Sequence, residues 1–398
     1  MSPQRMQTIT ATDMRAINRS AILELIRSGG SISRSEIGQR LQVSLPTVMR
    51  IVDELIEDEL VRPTQTKEWT GGRKRALVEF NGASRLVIGL DLGGTKLYGG
   101  VVDLTGHIHC ETTIPQHQTR SDESFDRVCR MIDELLAYAR GTGLKLLGIG
   151  AGVPGVTDPA SGQVELAPGL DWFGYPLKQR LSERYATAIV VENDVNLAAL
   201  GEVWFGPHGD AQNLVLIAVG TGIGAGVVIN GQVYSGAHAM AGEIGYMLPD
   251  RANLGQAYPG FGALELVASG TGIAARARQA LQGQMAPGPL AAISAEDVFA
   301  AGRRGEAWAL PILAETIDTL AQSIAAITLL LDPEVILLGG GVSHSSDLLI
   351  EPILNRLRGT IPRLPRLETS TLGYRAALMG SIVALMRVGT DYYSLQKY

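Results

Sequence analysis

The sequence predicts an α/β protein with a two-lobed body and, ahead of it, an all-α unit of winged helix-turn-helix plan. Three features predict this. An apolar run, a glycine loop and a second apolar run at residues 86–103 recur in the same order at 214–229. The first of those loops, Gly93-Gly94-Thr95-Lys96, arrives late, whereas a phosphate-cradling loop usually opens its domain. The stretch before it carries three helical patterns separated by a glycine stop and a tight turn. A chain of 398 residues is also too long for one ordinary core. The expected division is 1–82 for the front unit, 83–201 for the first lobe, completed by a C-terminal helix at 374–398, and 202–373 for the second lobe.

In the front unit, Ile17, Ala21, Ile22, Leu25 and Ile26 recur at helical spacing over residues 15–28, and Gly29-Gly30 stops the helix. Ser33 with Glu36 three residues on reads as the capping box of a second, short helix. A turn at Gln42-Val43-Ser44 leads to a third helix from Leu45, with Pro46 in its first turn, where a missing N–H costs nothing. Val48, Ile51, Val52, Leu55 and Ile56 form its buried stripe. In this plan the start of the third helix faces the major groove. Ser44, Thr47 and Arg50 lie on its outward side, and Arg50 suits a guanine edge or a phosphate. Gly71-Gly72-Arg73-Lys74-Arg75, between two extended runs, reads as the basic tip of a wing whose Arg73, Lys74 and Arg75 meet phosphates or the minor groove.

In the body, Leu86 to Leu92 reads as a strand, and after the 93–96 loop the chain continues as strand rather than helix. That excludes a P-loop and a dinucleotide-binding fingerprint, both of which need a helix there. The glycines instead make a hairpin whose N–H groups can approach phosphate oxygens, with Lys96 adding charge. The second copy has its strand at Leu214 to Val219, its loop at 220–226 and its next strand from Gly226, with a type I′ turn at Asn230-Gly231. Gly339-Gly340-Gly341 follows a further strand and precedes a helix expected from about Asp347. Asn193 and Asp194 stand at a strand-to-helix junction, where α/β sites gather. Glu243 is flanked by glycines that let a ligand come close. Two apolar-periodic helices, Ile312 to Leu331 and Gly373 to Met386, read as core.

Composition is that of a loop-rich globular protein, with 45% hydrophobic residues, 19% charged residues and 48 glycines. Residues 1–80 hold 12 Lys+Arg against 10 Asp+Glu, whereas the remainder holds 22 against 30. An acidic body repels DNA, so DNA contact is assigned to the front unit. Cys110 and Cys129 match no metal spacing and are expected as reduced thiols. Neither a signal-peptide pattern nor an apolar segment long enough for a bilayer is read from the sequence, so the expected compartment is the cytoplasm, with no membrane partner.

Together these residues resemble the ROK family (repressors, open reading frames and kinases), within the actin-like, ribonuclease H-like sugar-kinase fold, over residues 15 to about 385. The resemblance implies that 91–96 is a first phosphate motif, that Gly220, Thr221 and Gly222 belong to a second, and that Gly340 lies in an adenosine loop. It implies that Asn193 and Asp194 bind sugar hydroxyls, with Asp194 as general base. Glu243 and Glu265 are similar to two further sugar-contacting glutamates. The chain departs from the family where zinc is usually held: the histidine position is Tyr246, and the cysteine positions fall on Gln256, Tyr258 and Ala263. These supply no thiolate set, so no zinc is expected, and the loop is expected to pack through Tyr258, Pro259 and Phe261. Gly169 replaces the asparagine that often follows the sugar-loop proline.

The leading expectation is a sugar-responsive transcriptional repressor acting as a homodimer or dimer of dimers on palindromic operator DNA. Its sugar effector is held by Asn193, Asp194, Glu243, Tyr246 and Glu265, and no cofactor is required. The rival expectation is a sugar kinase that retains a DNA-binding unit; only that reading calls for ATP and Mg²⁺. A pure protein scaffold leaves the cleft carboxylates unexplained.

Overall fold

The computed structural model describes residues 11–389 apart from 71–72, 117–120 and 259. The front unit comprises α1 (Ala11–Gly29), β1 (Ile32–Ser33), α2 (Arg34–Leu41), α3 (Leu45–Glu57), β2 (Val61–Thr70) and β3 (Arg73–Phe80). Ser33 caps α2 by accepting from Glu36 N at 3.3 Å. The capping box is only half made, because the Glu36 carboxylate pairs with Arg40 instead. Gln42 ends α2 in the left-handed region (φ 54°), which sets the turn into α3. Val48, Ile51, Val52 and Leu55 are buried as their spacing predicts, and Ile56 is partly so. The strands pair in the order β1-β3-β2, so the wing is anchored under the helices. Gly71 and Gly72 lie outside the described residues. Arg73, Lys74 and Arg75 open β3, and their side chains also lie outside them.

The first lobe holds β4 (Arg85–Leu92), β5 (Lys96–Asp103), β6 (Ile108–Pro115), α4 (Ser121–Thr142), β7 (Lys145–Val153), β8 (Val156–Thr157), β9 (Val164–Ala167), β10 (Trp172–Tyr175), α5 (Leu177–Arg184), β11 (Ala188–Asn193) and α6 (Asp194–Phe205). The second holds β12 (Leu214–Val219), β13 (Ile223–Ile229), β14 (Gln232–Val233), α7 (Ala263–Ala268), α8 (Gly270–Ala280), α9 (Pro287–Ala292), α10 (Ala295–Arg303), α11 (Ala309–Leu331), β15 (Val335–Gly339), α12 (Ile350–Leu357) and β16 (Leu367–Thr369). Helix α13 (Ala376–Gly389) then returns to the first lobe. Residues 390–398, included in the expected C-terminal helix, lie outside the described residues.

The duplication is visible in the pairing. One sheet runs β11-β7-β4-β5-β6 and the other β14-β13-β12-β15-β16. In each, the founding strand is antiparallel to its hairpin partner and parallel to the strand that returns after the crossover. The second loop is tighter than expected, since β13 begins at Ile223 and leaves residues 220–222 as the turn. Asn230 and Gly231 both have positive φ (53° and 72°), as a type I′ turn demands. The helix expected from about Asp347 is α12, which begins at Ile350, and a 3₁₀ stretch, Gly341–Leu348, precedes it.

Helix α11 corrects one sequence expectation, because by length and composition it could cross a bilayer. It instead buries Ile312, Ile317, Leu320, Ile324 and Ile327 in the second-lobe core.

Helices α6 and α13 form the seam between the lobes. They cross backbone to backbone: a Cβ on Gly380 would lie 1.8 Å from Leu197 O, and one on Gly201 would lie 2.3 Å from Ala376 O. Beside the crossing, the fully buried Glu202 accepts from Ser370 Oγ (2.6 Å), Thr371 Oγ1 (2.9 Å) and Leu372 N (2.8 Å). It therefore ties α6 to the segment through which the second lobe hands the chain to α13. Glu202→Gln keeps the shape but turns one acceptor into a donor facing donors. We expect a loss of about 1–3 kcal/mol in thermal melts; an unchanged Tm would contradict it.

Candidate functional site

The parallel strands β4, β7 and β11 end side by side, with Asp91 opposite Gly152 and Glu192 opposite the same glycine. That edge places Asp91 and Asp194 on either side of Gly152, whose added Cβ would be 3.1 Å from Asp194 Cα. Asn193 is the N-cap of α6: Oδ1 accepts from Val195 N and Asn196 N at 2.9 Å each, and Nδ2 donates to Gly155 O at 2.9 Å. Its amide thus keeps one N–H for a ligand and spends the rest positioning the helix start and the 154–155 loop. Gly155 has φ +82°, and a Cβ there would strike Leu166 O, so only glycine fits.

The carboxyls of this cleft are strongly perturbed. Asp91 is pushed up to about 7 by burial and by the Asp194 charge, against the pull of Lys96. Asp194 is pushed up to about 6 by burial, opposed by backbone hydrogen bonds. Glu243 rises to about 7 through burial and the charges of Asp194 and Glu265. Burial and the same two glutamates, Glu243 and Glu265, also raise the Tyr246 phenol. In all three the fold shifts the balance toward the neutral form relative to the free carboxyl. Their contribution to stability is therefore full below the ordinary carboxylate pKa and is lost as pH climbs through 6 to 7. Asp194→Asn removes the charge that presses on both neighbours. We expect it to raise stability by roughly 2 kcal/mol at about pH 8, with the gain shrinking toward zero near pH 4. Thermal melts of both proteins across that range check it, and a pH-independent difference would refute it.

Glu265 is held more firmly than the sequence suggested. Its Oε1 accepts from Ile223 N and its Oε2 from Gly262 N, both at 2.7 Å. The carboxylate therefore pins the 220–222 loop to the start of α7. Glu243 lies just after Gly242, whose carbonyl accepts from Ala225 N at 2.7 Å. Tyr246 is exposed on the same stretch. Around the positions that the resemblance aligns with zinc ligands, Asp250 caps a short turn with Asn253, and Asn253 Nδ2 donates to Tyr258 OH at 2.7 Å. Hydrogen bonding through Tyr258 thus contributes to the packing; Phe261 is exposed and Pro259 lies outside the described residues. Among the described residues no three metal-ligating side chains converge.

Two of the three glycine clusters come together, and the 93–96 loop lies beside Gly169, 3.3 Å from an added Cβ on Gly94. Gly93 and Gly94 are partly buried, Thr95 and Lys96 exposed, and the Lys96 ammonium lies 5.8 Å from the Tyr374 ring centroid. Across the cleft, Gly220 O accepts from Gly270 N (2.7 Å), and Thr221 O accepts from Thr271 Oγ1 (2.5 Å). A Cβ on Gly340 (φ +77°) would meet Val219 O, which brings the third glycine cluster beside Gly220 and Gly222.

On the front unit, Ser44 and Arg50 are exposed and Thr47 is partly so, at the start and outer side of α3. Ser44 Oγ and Thr47 Oγ1 share a 2.8 Å hydrogen bond. Arg50 sits 3.6 Å from Glu54, which is held more tightly by Arg15 at 2.8 Å.

The ROK family pattern matches residues 87–387, more than half of the chain. The chain is a ROK-family protein. A winged helix-turn-helix DNA-binding pattern matches residues 15–62 of this ROK protein. It is 29% identical to a putative xylose repressor of Caldicellulosiruptor sp. (strain Rt8B.4) over 94% of this chain and 96% of that one. It is 33% identical to a glucokinase of Halalkalibacterium halodurans over 75% of this chain and 94% of that one. Its fold superposes with a TM-score of 0.82, at 25% identity, on the crystal structure of a ROK family transcriptional regulator described as a homologue of the E. coli MLC protein, covering 95% of this chain and 98% of the other. The kinase match thus reaches the body of this ROK protein, whereas the repressor and regulator matches include the front unit.

Sequence reasoning missed three features. Leu45 and Met49 stand exposed (47% and 48%) beside Arg50 on the outer face of α3. Their spacing of four, off the Val48/Ile51/Val52/Leu55 stripe, is the signal that could have found them. Glu202 gave no signal, because its partners lie almost 170 residues away. The acidic run after α3 is not idle either: Asp58 pairs with Arg19, and Glu59 pairs with Lys145 at the start of β7.

Proposed function

We propose that this ROK protein is a sugar-responsive, DNA-binding transcriptional regulator, a repressor of carbohydrate-metabolism genes. The observation that carries the reading is an exposed recognition-helix face on a unit built into the back of a sugar-kinase-like body. In this reading α3 enters the major groove. Arg50 forks onto a guanine edge, Ser44 and Thr47 meet phosphate or base edges, and Leu45 and Met49 meet thymine methyls. Arg73, Lys74 and Arg75 of the wing meet phosphates or the minor groove. Two copies on a palindromic operator place two such helices on successive groove faces.

The effector is a sugar whose hydroxyls donate to Asp194, Glu243 and Glu265 and accept from the free N–H of Asn193, with Tyr246 at the rim. Charge-assisted hydrogen bonds of this kind are the stronger ones. The sugar shifts the DNA equilibrium only as far as it prefers one lobe arrangement. The test is binding of the purified protein to DNA upstream of its own and neighbouring genes, with and without D-xylose, D-glucose or N-acetyl-D-glucosamine. Failure to bind any such DNA would sink the regulator reading.

A second reading is favoured by Asp194 itself. A carboxyl near 6 is well placed to take a proton from a sugar hydroxyl at neutral pH. The loops at 93–96 and 220–222, with Gly340, offer backbone to a nucleotide, and bound ATP with Mg²⁺ would supply the phosphoryl group and neutralise its charge. Sugar-stimulated ATP turnover that Asp194→Asn abolishes would establish it, and its absence would leave the cleft a binding site alone.

A further inference from the structure

The cleft and the DNA-binding unit lie at opposite ends of the first-lobe sheet. Asp91 and Asn193 end β4 and β11, whereas the front unit is clasped to the opposite edge. There Lys145, the first residue of β7, pairs with Glu59 at 2.6 Å, and Arg85, the first residue of β4, donates to Asp58 O at 2.5 Å. The strands run toward the cleft, and α6 runs back from it. Its 12 residues span about 18 Å.

Three features sit along this one helix. At its start, Asn193 caps the helix and holds Gly155 O, and Asp194 is its first residue. Near its end, Glu202 grips residues 370–372, the passage from the second lobe into α13. At its last turn, the Arg27 guanidinium of α1 stacks 3.8 Å above the Trp204 ring. Arg27 is aimed by two hydrogen bonds to Glu24, at 2.7 and 2.9 Å. Phe205 packs against the turn at Gly106, and that turn bonds the junction of the two units through Leu104 N to Gly82 O at 3.0 Å. Trp204, Phe205 and Phe80 border a single apolar cluster that joins Ile22, Ile26 and Val78 of the front unit to Ile382 and Met386 of α13.

We infer that α6 is a rigid rod coupling the cleft to the DNA-binding unit, and that Trp204, through Arg27, is the positioning residue by which its movement reaches α1. A shift of the Asn193–Asp194 end is not absorbed along the way, because the Gly201–Gly380 crossing leaves no space between the helix backbones. This rests on the regulator reading above.

The test uses the full chain, a fluorescein-labelled duplex from upstream of its own gene, and D-xylose, D-glucose and N-acetyl-D-glucosamine as probes. In the wild type, an effective sugar changes DNA affinity by about 5-fold or more. Trp204→Leu should keep sugar affinity, measured by calorimetry, and DNA affinity without sugar, while the sugar-induced change falls below about 2-fold. Trp204→Phe and Arg27→Lys, which retain a cation over a ring, should restore it. A full sugar response in Trp204→Leu would overturn the inference while leaving the regulator reading intact. A wild type that binds DNA but answers to none of the three sugars bears on the effector assignment instead, and the rod is then read without sugar. There, Asn193→Ala should change DNA affinity by about 5-fold, and the Trp204→Leu background should cancel that change. No effect of Asn193→Ala, or effects that simply multiply, would equally overturn the inference.

Discussion

Gly380→Ala is expected to lower the stability of the whole body by about 3 kcal/mol or more, beyond the usual range for one added methyl in a core. The position lies within α13, where alanine is ordinarily the better helix former, so propensity alone predicts the opposite sign. The crossing with α6 decides otherwise. The new Cβ would stand 1.8 Å from Leu197 O, 2.5 Å from Leu197 C and 2.9 Å from Leu197 Cα, all backbone atoms that no rotamer change can move. The helices must separate, and separation disturbs the buried Glu202 grip and the shared apolar cluster together. Gly141→Ala in α4 is the control, because nothing lies within 4 Å of its added Cβ. That substitution should stabilise by about 0.5–1 kcal/mol. Thermal melts of both variants check the contrast, and equal signs would disprove the backbone-crossing account.

The second large effect is on DNA. Arg50→Ala should weaken binding to the cognate duplex by roughly 10- to 100-fold, the worth of about 1–3 kcal/mol for one guanidinium on a base edge. Stability should barely move, because Arg50 is exposed and its 3.6 Å approach to Glu54 is a loose surface pair. Discrimination against substituted half-sites should relax at one base pair only. Arg75→Ala in the wing should act differently, weakening every duplex alike and reducing the salt dependence by about one counterion. Fluorescence titrations at several salt concentrations separate the two. If Arg50→Ala lost affinity evenly across sequences, Arg50 would be a phosphate clamp instead.

Much of the architecture was legible because it is written in local pattern. The helix stops, the Ser33 cap, the proline in the first turn of α3 and the Asn230-Gly231 turn each act within a few residues, and each is where the spacing puts it. The repeated strand–glycine–strand plan gave both sheets, since a hairpin and a parallel return fix the order of neighbours. Its boundaries were less legible: the second loop is three residues rather than seven, because β13 pairs with β12 right up to Val219 and Ile223.

The site divides along the same line. Asn193, Asp194 and Glu243 could be picked out by type and place, two at a strand-to-helix junction and one between glycines. Their protonation could not, because it follows from burial and from carboxyls contributed by different lobes. Glu265 was legible as a carboxylate but not as the pin of the 220–222 loop, because the N–H it holds, that of Ile223 just after the loop, lies 42 residues away.

By itself the sequence determined that a winged helix-turn-helix precedes a duplicated α/β body, and it named the candidate residues for a cleft and for a DNA-reading face. The tertiary structure alone decided how those parts are joined: through α6, with Asn193 at one end, Glu202 on the passage between lobes, and Trp204 under Arg27 at the other. The physical reason is range. Caps, turns and periodicity act over a handful of residues, whereas a buried carboxylate, a backbone crossing and a stacked guanidinium depend on partners that only folding brings together.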